Sequence, residues 1–422
     1  MTYTRKKLKN GLTIITLTSL SSKAATITAY IRAGFRFDPK NRPGLSHFTE
    51  HIIFNAQKNF PKFKTLSQAV ERHGGWSSAF TWIENQEYTI HLPKNNVEDG
   101  IKLILGNLFE PYITKSEVEK EKGVIKEEIL TNKSDPSKAI WDYAWLPLFF
   151  QGTNLSRPYS GNITDISMIS EIDVKSFVSS YFQTENIVLF VAGNLEQDYI
   201  RKIVEKYSKK YKAEHKEKNI YTIVPKVRKH VFVYKDESYY QTSLVIGIKT
   251  IAFKSSLKYV FDILRDMLSG YFGAPLIQEL RDKGGLIYTW NSYHDNLSDI
   301  GYLMFNVAVA HENINRVTSI VLKEFKRLAQ GKFIKDEVEM AKSHLIGSIL
   351  SNTETGKDYI EFYGLQELLN PKNVLSIENK INLYKNVSAE EVREVASKYF
   401  TPENTFIAAI GTANENQLES LL

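Results

Sequence analysis

The amino-acid sequence predicts an α+β protein of two homologous domains, each a mainly antiparallel sheet packed against helices. Three observations carry this expectation. Runs of β-formers with period-two alternation are mixed with longer helical patterns, without the regular strand–helix–strand alternation of a parallel sheet. The chain has 422 residues, more than one hydrophobic core usually organises. A weak internal repeat also runs through it. Residues 185–193 (ENIVLFVAG) match 403–411 (ENTFIAAIG), and Tyr181-Phe182 matches Tyr399-Phe400, at one offset of 218. Glu117-Val118-Glu119 with Ile129-Leu130 returns as Glu337-Val338-Glu339 with Ile349-Leu350 at an offset of 220. One long period means two related domains and not a solenoid. The polar, charged stretch 209–218 is the expected linker, dividing the chain into domains at 1–215 and 216–422.

The elements follow in order. Asn10-Gly11 is a strong turn pair ahead of a strand at 12–17, and 25–31 alternates as a second strand. Residues 33–44, rich in Gly, Pro, Asn and Asp, form a loop. Leu45, Phe48, Ile52 and Ile53 then recur with helical spacing and anchor one face in a core. A helix at 66–73 is stopped by Gly74-Gly75, strands follow at 77–82 and 87–92, and helices at 97–109 and 117–131. The last of these ends before an Asp135-Pro136 break, with Val118, Val124, Ile125 and Ile129 as its expected buried side.

One copy of the repeat carries chemistry that the other lacks. In His47-Phe48-Thr49-Glu50-His51 the histidines stand at i and i+4, so both rings can turn one nitrogen toward a single ion. Glu50, beside His51, is placed to meet a water on that ion. The order is the reverse of the commoner H-E-x-x-H arrangement, and it needs a third ligand from elsewhere. Glu121 and Glu128, seven residues apart, share one helix face. Glu127 is equally eligible by composition, because adjacent carboxylates cannot be separated by charge. The plain alternatives are hydrogen-bonded histidines with an ordinary salt bridge, and a solvated helix laced with i,i+4 pairs. In the second copy Ala341 and Ser348 stand where the first has Glu121 and Glu128, and no HxxEH occurs there. A site confined to one half accounts for that difference.

Composition narrows the classes. A formal charge of +6, with basic and acidic residues interleaved, gives no reason to invoke nucleic acid. The absence of cysteine excludes disulfides, thiolate ligands and cysteine nucleophiles. No run approaches 18 apolar residues, so no membrane span is expected, and without a recognisable secretory segment the cytoplasm is the default location. Ser269-Gly270-Tyr271-Phe272-Gly273 lacks the phosphate-loop pattern, and no dinucleotide fingerprint occurs.

By these motifs the whole chain resembles the M16 family of zinc peptidases, in its short bacterial two-domain form. The resemblance aligns the family's HxxEH with residues 47–51 and its downstream glutamate pair with Glu121 and Glu128, choosing Glu128 over Glu127 as third ligand. It implies Zn²⁺ held by His47, His51 and Glu128, Glu50 as general base, and Glu121 orienting a histidine ligand. Residues 77–81 occupy the family's N-A-x-T strand, with Ser78 in place of the usual asparagine, which puts a detail of substrate binding in doubt. Ala79, Phe80 and Thr81 are the candidate exposed sheet edge to which an extended peptide adds as a strand, since edge bonding reads main chain; Phe80 and Trp82 line subsites there or simply fill the core. The resemblance adds Arg281 and Tyr288 from Leu280-Arg281-Asp282-Lys283-Gly284-Gly285-Leu286-Ile287-Tyr288 as substrate contacts. It implies a peptidase acting on peptides or unfolded segments inside a cleft or chamber. Larger relatives enclose substrate with four such domains, so this chain is expected to pair, as a homodimer or with a related chain. An inactive structural subunit and a hydrolase of non-peptide amides are the competing functions.

Overall fold

The computed structural model describes residues 1–19, 21–55, 66–212 and 222–422. Most of the expected linker at 209–218 lies outside them. The chain folds into two compact units, each assembled from three stretches of sequence. The first takes Met1–Ile129, Tyr159–Ile220 and Thr353–Val374, and the second Leu130–Pro158, Tyr221–Asn352 and Leu375–Leu422. Each half of the sequence thus lends a segment to the other unit.

The first unit is built on a six-stranded sheet in the order β1-β2-β6-β3-β5-β4. Its strands are β1 (Thr2–Lys7), β2 (Thr13–Thr18), β3 (Ala24–Ile31), β4 (Trp76–Thr81), β5 (Gln86–Pro93) and β6 (Ile187–Gly193). Neighbours are antiparallel except the β2–β6 pair. β1, a charged edge strand, carries too little apolar alternation to be read from sequence. Alternate side chains split between two cores, as the period of a strand requires. Ile14, Ile27, Ala29, Leu189 and Val191 face a core shared with α1 (Leu45–Asn55), α2 (Leu66–Glu71), α3 (Val97–Phe109) and α4 (Lys115–Ser134). Ile15, Leu17, Tyr30, Val188, Phe190 and Ala192 face the other way, under Ile360 and Tyr363 of the helix Gly356–Leu369. Gly364 makes that approach possible, since a Cβ there would lie 2.2 Å from the Tyr30 ring. On α4 the buried stripe is Val118, Glu121, Ile125 and Ile129. Val124, expected inside, is 49% exposed, because its position falls off the 3.6-residue stripe.

The second unit repeats the plan with β7 (Val231–Lys235), β8 (Thr242–Thr250), β9 (Trp290–Asn296), β10 (Gly301–Val309) and β11 (Thr405–Gly411), ordered β7-β11-β8-β10-β9. The parallel pair recurs as β7–β11, so β7 to β11 stand where β2, β3, β4, β5 and β6 stand in the first sheet. Here the borrowed segment is the helical run 136–149, with a wide turn at Trp141–Trp145. Trp145 and Phe149 stack 5.1 Å apart and pack edge-on against Tyr302. Gly247 leaves room for the Trp145 ring, which would lie 2.7 Å from a Cβ. Among the described residues no helix is long and apolar enough to cross a membrane.

Candidate metal centre

The loop before α1 sets where its polar face points. Both oxygens of Asp38 accept backbone N–H bonds at the helix start, from Gly44 at 2.8 Å and Ser46 at 2.7 Å, satisfying donors that the first turn leaves unpaired. Burial nevertheless pushes the Asp38 carboxyl up to about 7, against those donors. Leu45, Phe48, Ile52 and Ile53 are buried, which turns His47, Glu50 and His51 toward α4. Gln86 donates to the Ser46 carbonyl at 2.7 Å, tying the helix to β5.

α4 brings up both expected carboxylates. Nδ1 of His51 donates to Glu121 at 2.9 Å, which leaves Nε2 facing Glu128 Oε2 at 3.3 Å. Nε2 of His47 lies 3.7 Å from Glu128 Oε1. One ligand atom from each of His47, His51 and Glu128 lies within 4.8 Å of the others, the one such cluster among the described residues. Two imidazole nitrogens and one carboxylate oxygen are a donor set that suits zinc with a position left for water. Glu127 is exposed. Nδ1 of His47 is buried with no hydrogen-bond partner among the described residues.

The protonation states follow from the surroundings. Burial, aided by the neighbouring His51, lowers His47 to about 4. Burial pulls His51 down as well, but bonds to Glu121 and Glu128 outweigh it and raise His51 to about 10. Burial opposes ionisation of Glu128, yet both histidines and the Tyr159 hydroxyl bring it down to about 2. Glu50 is pushed up to about 7 by burial, although Thr81 Oγ1 donates to its Oε2 at 2.5 Å.

That last bond joins α1 to a sheet edge. Thr81 ends β4, which pairs with β5 alone among the described residues. Phe80 is 50% exposed and stacks on the half-buried Trp82 at 5.7 Å, and Ser78 is exposed on the same strand. In the second unit, Tyr288 is 83% exposed, and the Arg281 guanidinium lies over Phe272 at 4.6 Å. One site residue was not anticipated. Tyr159 donates to Glu128 Oε1 at 3.2 Å and sets its ring edge-on to His47 at 4.9 Å.

Known proteins share this architecture. The profile described as "Insulinase (Peptidase family M16)" matches residues 13–161, and "Peptidase M16 inactive domain" matches 169–345. The chain belongs to the M16 peptidase family. An uncharacterized zinc protease of Rickettsia bellii is 24% identical over 97% of both chains. The uncharacterized zinc protease YmxG of Bacillus subtilis is 24% identical over 94% of this chain and 96% of its own. A protease from Helicobacter pylori has the same fold, with a TM-score of 0.88, 20% identity and coverage of 97% and 99% of the two chains.

The second unit has a comparable helix without such a cluster among the described residues. Its helix Lys258–Ser269 follows β8 as α1 follows β3, and carries Asp262, Arg265 and Asp266 at the spacing of His47, Glu50 and His51. Asp262 accepts from His294 at 2.7 Å and from Tyr384 at 2.5 Å, and Asp266 accepts from His344 at 2.8 Å. Bonds from His294 and Tyr384 hold Asp262 at about 2 despite its burial. On this helix both carboxylates are taken up by hydrogen bonds from within the unit.

Proposed function

We propose that this M16 protein is a zinc-dependent endopeptidase that cuts peptides and unfolded polypeptide segments. The observation that carries the reading is the convergence of His47, His51 and Glu128 within 4.8 Å, beside a carboxyl bonded to the last residue of a sheet edge. Bound zinc would supply Lewis-acid polarisation of the scissile carbonyl and a more acidic attacking water. Glu50 takes the proton from that water and returns it to the departing amine. Burial raises Glu50 to about 7 in the absence of an ion, and a nearby cation draws it lower, toward the ionised base. Glu121, through Nδ1 of His51, fixes the ring that ligates the metal.

Substrate adds as a strand along β4, through the backbone of Ala79, Phe80 and Thr81, so main-chain bonding supplies affinity across many sequences. Phe80 offers an apolar surface for a substrate side chain. Arg281 and Tyr288 are the second unit's proposed substrate contacts, with an exposed hydroxyl and a guanidinium held over aromatic rings as support. The working form is a homodimer in the cytoplasm, with a related chain as the alternative partner. Sedimentation equilibrium of the purified protein tests the pairing.

The decisive test is Glu50→Gln. It should lower hydrolysis of an unstructured fluorogenic peptide at least ~100-fold while the protein keeps one zinc per chain. A variant that cleaves at the wild-type rate, or wild-type activity that survives exhaustive chelation, overturns the assignment.

A further inference from the structure

Tyr159 reaches the metal centre from a loop that neither HxxEH nor the glutamate helix predicts. Gly161 and Gly44 bring it there. Gly44 has φ of +81° and passes so close that a Cβ would lie 2.3 Å from the Ser160 carbonyl. Gly161 has φ of +69°, and a Cβ there would lie 2.7 Å from the Pro43 carbonyl. Both are backbone conformations that side-chain-bearing residues rarely adopt. The loop is therefore interlocked with the first turn of α1, directly ahead of His47. From that position the Tyr159 ring touches Phe35 at 6.3 Å and His47 at 4.9 Å, and its hydroxyl donates to Glu128 at 3.2 Å.

The choice of oxygen matters. Tyr159 binds Oε1 of Glu128, the oxygen nearer His47, while Oε2 faces His51. A glutamate at the end of three rotatable bonds does not hold its carboxylate in one plane unaided, and a donor on a fixed loop, acting on the oxygen opposite the one that faces His51, restrains that rotation. The ring meanwhile limits how far the His47 imidazole can swing. We infer that Tyr159 is a positioning residue of the metal centre, which presets the Glu128 carboxylate through its hydroxyl and backs His47 with its ring. The inference rests on the proposed zinc site and adds Tyr159 to His47, His51, Glu128 and Glu121 as a residue on which zinc affinity depends.

Tyr159→Phe isolates the hydroxyl, because it keeps the ring. Zinc affinity is measured on the full-length protein by competition with a chromogenic chelator, for wild type, Tyr159→Phe, Glu128→Ala and the double variant. Loss of such an outer partner weakens metal binding about 10–100-fold, and that loss is expected in Tyr159→Phe. In the Glu128→Ala background the same change should cost less than ~2-fold, since residues acting through one another are not additive. The melting temperature of metal-free Tyr159→Phe should match wild type, separating a positioning role from a folding one. Unchanged affinity in Tyr159→Phe, or an equal loss with Glu128 absent, overturns the inference while leaving the zinc site standing. A wild-type protein that binds no zinc overturns the function proposed above, and this inference with it.

Discussion

At the scale of single residues, the candidate site sets two histidines among three carboxyl groups. His51 carries the positive charge there, held protonated by Glu121 and Glu128, while His47 stays neutral and Glu128 ionised. Zinc must take the place of the proton on His51 Nε2. Binding at pH 8 is therefore expected to release about one proton from His51. Calorimetry in buffers of different ionisation enthalpy measures it, and a binding enthalpy independent of buffer would contradict the arrangement. Affinity should accordingly rise with pH up to about 10. Much of this site could be read from sequence, because i,i+4 histidines and carboxylates seven apart define faces from helical geometry alone. Local geometry could not decide between Glu127 and Glu128. The family resemblance favoured Glu128, and in the fold Glu127 turns outward. Tyr159 was invisible for a different reason: it arrives through two glycine-lined backbone contacts between segments more than a hundred residues apart, which leave no periodic trace.

Individual elements owe their placement to groups outside themselves. α1 begins where Asp38 collects its first N–H groups, and Asp38→Ala would leave two buried donors unpaired. A loss of ~1–3 kcal/mol is expected, seen as a lower urea midpoint, with weaker zinc binding as the histidine-bearing turn loosens. A midpoint unchanged from wild type would show that water replaces the carboxylate without cost. The helix Gly356–Leu369 is held differently. It lies over β3 and β6, and on the neighbouring β5 burial raises Glu87 to about 7 beside Tyr30 and Glu361. A carboxyl raised in the folded state stabilises fully below its unfolded value near 4.5, and that contribution is lost as pH rises through 7. Glu87→Gln should be close to neutral at pH 4.5 and stabilising by about 3 kcal/mol at pH 8, because an amide cannot ionise. Denaturation midpoints across that range would follow it, and parallel curves for variant and wild type would refute it. The strands and helices of the first unit were legible from alternation and helical spacing. Val124 was misplaced because an apolar residue on a charged helix was counted before its angle was.

At the scale of the whole molecule, the exchange of segments makes the two sequence halves interdependent. The repeat announces two domains, yet nothing in it reveals that 353–374 completes the first unit and 130–158 the second. A covering helix looks like any other amphipathic helix until its sheet is known. Without 353–374, the face formed by Ile15, Leu17, Tyr30, Val188, Phe190 and Ala192 loses its cover. At ~1.5–3 kcal/mol for each large side chain returned to water, the deficit is on the order of 10 kcal/mol, comparable to the ~5–15 kcal/mol that holds a whole domain together. Residues 1–215 expressed alone should therefore aggregate, or bind a hydrophobic dye without a cooperative melt. Co-expression with a chain carrying 216–422 should restore solubility and zinc binding together, because the segment returns to the face it covers. The same deletion leaves His47, His51 and Glu128 in place in the sequence, so failure of the lone half to bind zinc would trace to the sheet beneath α1 and not to lost ligands. A monomeric, cooperatively melting 1–215 fragment that binds zinc as tightly as the full chain would show that the lent helix is dispensable, and with it the interdependence argued here.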